Sequence, residues 1–234
     1  MRSSRLPSAL LAALSATVLA SALASAIASA PLAAQGTADW DVRPNSWYWG
    51  LYGGQTSFAT TIARKTAPMV GGEWMITRTR FALSIFAEQS YFNAVTTVPD
   101  SLGSAAPRRV DMQDLRRVGG SAMILLPQYK YFHPWFGAGY AVNFVRTASP
   151  QGSSYASPAA QQAMQAAVDN RRAQGKLFGE LGMMFAYKQW APFVQYTVMP
   201  TKGSSSWLVN GDGFTNVWKL GWRYSFGTAL DERW

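Results

Sequence analysis

The sequence predicts an all-β protein: an eight-stranded antiparallel up-and-down transmembrane β-barrel with one short helix in its third external loop. Three observations carry that prediction. Apolar and polar residues alternate with a period of two over eight separate stretches, the pattern of strands with one apolar and one polar face. The connections between the stretches alternate long and short. A barrel that crosses a membrane has that sidedness, with short turns and both termini at one end and longer loops at the other. The third observation is a segment of secretory character at the start of the chain.

That segment, Met1 to Ala34, carries Arg2 and Arg5, then a run rich in Ala, Leu and Ser, then small residues around Ala28-Ser29-Ala30 and Leu32-Ala33-Ala34. It has the form of a signal peptide. Cleavage is expected after Ala34, because a cut before Pro31 would put proline at the first mature position. The alternative for this stretch is an uncleaved transmembrane anchor. The expected plan is a signal peptide over 1–34, a periplasmic lead over 35–45, the barrel over 46–226 and a periplasmic tail over 227–234. No later segment is long and apolar enough to span as a helix. The chain has no cysteine, which excludes a lipid-anchored lipoprotein and any disulfide.

The mean hydropathy of -0.06 is ordinary for a soluble protein, but barrel strands alternate lipid-facing and lumen-facing residues and the average cancels. Loss of Arg2 and Arg5 takes the formal charge from +9 to +7. For an exported basic chain, anionic lipid or polysaccharide is the expected partner, and nucleic acid is not.

The first strand, Ser46 to Phe58, is rich in glycine and aromatics, and its facing is left open because Trp47, Trp49 and Leu51 alternate with Tyr48 and Tyr52. A short basic loop, Thr60 to Ala67, holds Arg64 and Lys65. The second strand, from about Pro68 to Ile76, sets Val70, Trp74 and Ile76 against Glu73. After the tight turn Thr77 to Arg80, the third strand, Phe81 to Phe92, sets Phe81, Leu83 and Ile85 against Ser84 and Glu88. Asn93 to Asp111 is a long Pro/Ser/Gly-rich connection with Arg108 and Arg109 near its end. The fourth strand, Gln113 to Leu126, has Val118, Ala122 and Ile124 opposite Arg117 and Ser121.

Pro127 to His133 forms a compact turn before the fifth strand, Pro134 to Arg146, where Phe136, Tyr140, Val142 and Phe144 oppose Gly137, Gly139 and Asn143. The longest insertion, Thr147 to Gly175, contains Arg171 and Arg172. It predicts a helix with Ser157 as N-cap, Pro158 at the first position, an Ala/Gln-rich run to Ala173 and Gly175 as the stop. The sixth strand, Lys176 to Tyr187, sets Leu177, Leu181, Met183 and Phe185 against Glu180. The turn Lys188 to Trp190 leads to the seventh strand, Ala191 to Met199. Thr201 to Gly213, with Lys202, precedes the eighth, Phe214 to Phe226.

The eighth strand alternates Lys219, Gly221, Arg223 and Ser225 with Leu220, Trp222, Tyr224 and Phe226, and aromatics crowding a strand end suit a membrane–water interface. Its order of polar, any, Gly, any, any, aromatic, any, aromatic resembles the last-strand signal by which bacterial outer-membrane barrels are recognised for assembly. Lys219, Gly221, Tyr224 and Phe226 occupy the defined positions. In that family the final aromatic usually ends the chain, whereas here Gly227 to Trp234 follow. The mature chain as a whole resembles the small eight-stranded outer-membrane barrels of the outer-membrane protein A and X type. The resemblance implies residence in the outer membrane of a Gram-negative-type bacterium, contact with lipopolysaccharide and handling by the barrel assembly machinery.

With the apolar alternates toward lipid, Glu73, Glu88, Arg117, Glu180, Lys219 and Arg223 point into a lumen just wide enough to be filled by side chains. Charges there are expected to pair with one another. Arg64, Lys65, Arg108, Arg109, Arg171, Arg172 and Lys202 form an expected external basic rim, either solvated or attached to phosphate groups of the outer leaflet. The single histidine, His133, falls in a short turn at the periplasmic end, away from where a lipid hydrolase would need its base, and no metal cluster, phosphate-binding glycine loop or paired carboxylate motif is present. Gly53-Gly54, Gly71-Gly72 and Gly119-Gly120 read as strand bends or close packing points. The expected role is therefore structural or surface-interacting, carried by the external loops of a monomer, with no enzyme activity and no cofactor. The alternatives are a small porin-like pore and a soluble exported lipocalin-like barrel that binds an apolar ligand inside.

Overall fold

The computed structural model describes residues 45–99, 107–129, 131–152, 157–201, 207–209, 211 and 213–228. The expected signal peptide, most of the expected lead, Lys202 and the last six residues of the expected tail lie outside them.

Eight strands follow one another as β1 (Ser46–Ala59), β2 (Arg64–Arg78), β3 (Phe81–Val98), β4 (Arg108–Leu125), β5 (Phe132–Pro150), β6 (Ala173–Phe185), β7 (Trp190–Pro200) and β8 (Phe214–Thr228). Among the described residues one helix, α1 (Pro158–Asp169), sits between β5 and β6. Every strand pairs antiparallel with its neighbours in sequence, and β8 returns to β1, so the sheet closes without an edge. The seam runs from Ser46 opposite Thr228 to Ser57 opposite Asn216, with one register shift between Trp47 and Tyr48.

Alternation decides the facing. Trp49, Leu51, Leu83, Ile85, Leu177, Leu220 and Trp222 are each more than half exposed on the outer wall, while Tyr48, Tyr52, Met75, Phe86 and Phe193 are buried inside. The open question of β1 is thereby answered: Trp47, Trp49 and Leu51 face out, and Tyr48 and Tyr52 face in. A lipocalin-like interior needs the apolar alternates inward, and the facing here is the reverse.

Several strands are longer than the alternation predicts. β3 and β4 keep pairing up to Val98 opposite Arg108, so Arg108 and Arg109 open a strand instead of closing a loop. Arg64 and Lys65 likewise pair with Ala59 and Phe58 inside β2, and the connection shrinks to 60–63. Backbone groups of a hairpin continue to find partners beyond the apolar band, where the alternation of lipid-facing residues has already stopped. At the other end β8 runs on through Gly227 and Thr228, which pair with Trp47 and Ser46 of the seam.

Helix α1 starts as expected, with the Ser157 side chain accepting from Ala160 N–H and Pro158 in the first turn. It ends earlier than expected, at Asp169 with Asn170 as C-cap, and Gly175 lies inside β6. The Arg172 carbonyl accepts from Val145 N–H and Ala173 pairs with Phe144, so sheet pairing captures the chain before the helix can reach the glycine.

Candidate functional site

Charged alternates of five strands, β2, β3, β4, β6 and β8, meet in the lumen. Among the described residues the buried charged side chains are Glu73, Glu88, Arg117, Glu180, Lys219 and Arg223, three carboxylates against three cations. Glu73 of β2 and Arg223 of β8 pair at 2.5 Å. These strands are not neighbours, and β1 runs between them with Gly50 opposite both residues. A Cβ at Gly50 would lie 2.8 Å from Glu73 Cγ and 3.3 Å from Arg223 Cγ, so the pair depends on glycine there.

Glu88 of β3 is the centre of the second group. Its carboxylate meets Arg117 of β4 at 2.5 Å and Lys219 of β8 at 2.9 Å, and accepts the Tyr52 hydroxyl at 3.2 Å. Charge-assisted bonds of this kind are about twice as strong as neutral ones. A carboxylate removed from water needs that many donors to remain ionised. Glu180 of β6 accepts from the Gln195 amide of β7 at 2.7 Å.

Aromatic faces line the same space. Arg223 lies 4.1 Å from the Phe193 ring centroid and 4.8 Å from that of Trp135, and Lys219 lies 4.6 Å from Phe86 and 4.7 Å from Tyr52. Arg117 sits 5.5 Å from Phe86 and 5.9 Å from Phe178. The cations are held between carboxylates and rings, and the side chains fill the eight-stranded cross-section.

Above this layer the lumen turns apolar. Phe58, Val98, Val145 and Met199 from the upper strands form one buried cluster with Met164 and Val168 of α1 and with Trp207, Leu208 and Val209 from the β7–β8 connection. Trp207, Leu208 and Val209 have no measurable exposure. The connection is tied down by Leu208 N–H donating to Arg171 O at 3.2 Å and Gly211 N–H donating to Ala59 O at 3.0 Å. Helix and loop together form an apolar lid over the charged layer.

The rim residues are dispersed. Arg64 donates to Ser57 Oγ and to the Phe214 carbonyl, Arg108 to the Gln151 carbonyl, and Arg171 to the Ala167 carbonyl at the end of α1. Lys65 and Arg109 are exposed on β2 and β4. Arg172 pairs with Asp169 at 3.2 Å. Of the last-strand positions, Lys219 and Gly221 face the lumen, while Tyr224 packs on Trp190 at 5.0 Å and Phe226 stacks on Trp49 at 6.2 Å on the outer wall. His133 opens β5 opposite Met184 at the short-turn end.

Sequence reasoning missed Gln195, the lumen aromatics and the lid. Gln195 and Tyr52 do stand at the inward parity of their strands. The apolar triplet Trp207-Leu208-Val209, set in a Gly/Ser-rich loop, was the available signal for the lid.

No protein-family profile matches the chain, and no curated protein does. Among solved structures, Neisserial surface protein A is similar over 77% of this chain and 97% of its own length, with a TM-score of 0.50 at 11% identity. OprG of Pseudomonas aeruginosa is similar over 79% of this chain and 98% of its own, with a TM-score of 0.45 at 10% identity. Ail, the attachment invasion locus protein of Yersinia pestis, is similar over 79% of this chain and 100% of its own, with a TM-score of 0.43 at 10% identity. Closure of eight strands in sequence order, apolar residues outward and charges inward, together with the likeness to Neisserial surface protein A, gives this chain the fold of the small eight-stranded outer-membrane β-barrels.

Proposed function

We propose that the chain is an integral outer-membrane barrel with a sealed lumen, acting as a structural or surface-interaction protein through its loop end. The observation that carries this reading is the filled interior. A layer of six paired or hydrogen-bonded ionisable side chains lies beneath an apolar lid made by Met164, Val168 and Trp207 to Val209. An ion entering from the loop end would have to displace the lid and then separate Glu88 from Arg117 and Lys219. The exposed apolar outer wall supports membrane residence, since aromatic and aliphatic side chains on that scale are stable against lipid and costly against water.

In such a barrel the lumen side chains serve packing and closure, and His133 has no catalytic role. Two measurements test it together. Envelope fractionation is expected to recover the folded chain with the outer membrane. Proteoliposomes carrying it are expected to retain small sugars and amino acids as tightly as empty vesicles. Recovery of folded protein from the detergent-free periplasm would overturn membrane residence, and rapid solute efflux would overturn the sealed lumen.

A further inference from the structure

Two of the ladders stop short of the loop end. β2 and β3 pair from Arg78 opposite Phe81 only as far as Met69 opposite Ser90, although β2 begins at Arg64 and β3 continues to Val98. β6 and β7 pair from Met184 opposite Phe193 only as far as Gly179 opposite Val198, although β6 begins at Ala173 and β7 reaches Pro200. The remaining ladders run on. β3 stays with β4 to Arg108, β4 with β5 to Pro150 and β5 with β6 to Ala173. β7 stays with β8 to Phe214, β8 with β1 to Ser57 and β1 with β2 to Arg64. Among the described residues no ladder pair crosses either split, so the loop end consists of two four-stranded sheets, one of β3 to β6 and one of β7, β8, β1 and β2, which join below into one barrel.

The first split begins where the sequence spoils the ladder. Pro68, next to Met69 on β2, has no N–H to donate, and β3 shifts register between Ser90 and Asn93. Just below the two splits the sheets are pinned together from inside. Glu88 of β3 holds Lys219 of β8 at 2.9 Å, Ser90 of β3 bonds Thr56 of β1 at 2.9 Å, and Glu180 of β6, beside Gly179, accepts from Gln195 of β7 at 2.7 Å.

Above the splits the links are lighter. Thr61, in the β1–β2 turn, accepts both the backbone N–H and the hydroxyl of Thr97 on β3, each at 2.8 Å. An open cleft of about 370 Å3 lies along this split, with Ile62, Ala63 and Lys65 on one side and Asn93, Ala94 and Val95 on the other. Between the sheets lies apolar packing, with Phe58 and Met199 from one sheet and Val98 and Val145 from the other.

We propose that the loop end is a two-jawed clamp, whose sheets part about pivots at Met69–Ser90 and Gly179–Val198 with Thr61 as the latch, uncovering Val98 and Met199 on its inner faces. Each jaw keeps its own ladders when it moves, so parting breaks the latch and the apolar contact without unfolding a strand. In a membrane, backbone edges without ladder partners are stable only in water, so the jaws stand clear of the hydrocarbon. The clamp goes beyond the sealed lumen, because Glu88, Lys219 and Glu180 lie below both pivots and stay bonded in either state.

The chain has no cysteine, so single introduced thiols read the opening. Val98→Cys and Met199→Cys place one on each jaw at sites with no measurable exposure, and Met75→Cys places one at an equally buried site below the pivots. With a water-soluble maleimide and the barrel in nanodiscs, the thiols at positions 98 and 199 are expected to react about tenfold faster than the one at 75, or more. Thr61→Ala is expected to raise both jaw rates about fivefold, the scale of one lost hydrogen bond, and to leave the rate at 75 unchanged. Thr61→Ser keeps the latch oxygen and is expected to match wild type. Each variant is first checked for SDS-resistant folding. Thiols at 98 and 199 as inert as the one at 75, or a rise at 98 alone in Thr61→Ala, which marks fraying of the β1–β2 turn, would overturn the clamp.

Discussion

Glu73 and Arg223 are bonded at 2.5 Å although their strands do not touch, because Gly50 between them has no side chain. The contact spans β1 and ties β2 to β8 across the seam that closes the barrel. Gly50→Val is therefore expected to separate the pair and destabilise the folded barrel by about 3 kcal/mol, the scale for breaking a buried ion pair. Urea unfolding in lipid vesicles, followed by tryptophan fluorescence, reads this directly. An unchanged midpoint would show that the seam does not depend on the pair.

The same pair is open to a mutant cycle. Glu73→Gln and Arg223→Met each leave a buried partner without its opposite charge, at a cost of about 3–5 kcal/mol apiece. The double substitution removes both charges and is expected to cost less than the two single effects together, with a coupling of about 2 kcal/mol. Simple additivity would mean the two residues act separately.

The lid predicts a local effect. Trp207 is fully buried among Met164, Val168 and Phe58, so Trp207→Ala removes an anchor worth about 3 kcal/mol or more from the β7–β8 connection. Hydrogen exchange at Leu208 and Gly211, whose amides are held by Arg171 and Ala59, is expected to rise while the ladders of β1 to β8 stay protected. Exchange at those amides equal to wild type would contradict the anchoring role.

On the outer wall near the short-turn end, Tyr224 donates to Gln189 at 2.9 Å and packs on Trp190, and Phe226 stacks on Trp49. Replacing Tyr224 and Phe226 by Ser removes the aromatic row at this interface. The double variant is expected to accumulate strongly less SDS-resistant barrel in the outer membrane than wild type. Equal accumulation would show that the row is dispensable for assembly.

Much of this architecture was legible because barrel strands encode facing directly. Parity along each strand placed Glu73, Glu88, Arg117, Glu180, Lys219 and Arg223 inside, and they are buried there. Which of them meet was not legible. Glu73 reaches past its neighbour strand to Arg223, and Glu180 takes Gln195, because partners depend on the stagger of a closed sheet and on gaps such as Gly50. Strand ends were also hidden. Arg64, Lys65, Arg108 and Arg109 look like loop residues by polarity, yet pairing continues where the wall leaves the apolar band. The lid escaped notice because Trp207 to Val209 sit in a loop with no periodicity, and their burial is a tertiary event.

Single-channel recording of the purified barrel in planar bilayers, with Glu180→Gln and Arg223→Ala measured beside wild type, decides whether the lumen is sealed. Wild type is expected to give no stable, well-resolved channels. Discrete wild-type openings, altered in size or ion selectivity by either substitution, would contradict a sealed lumen.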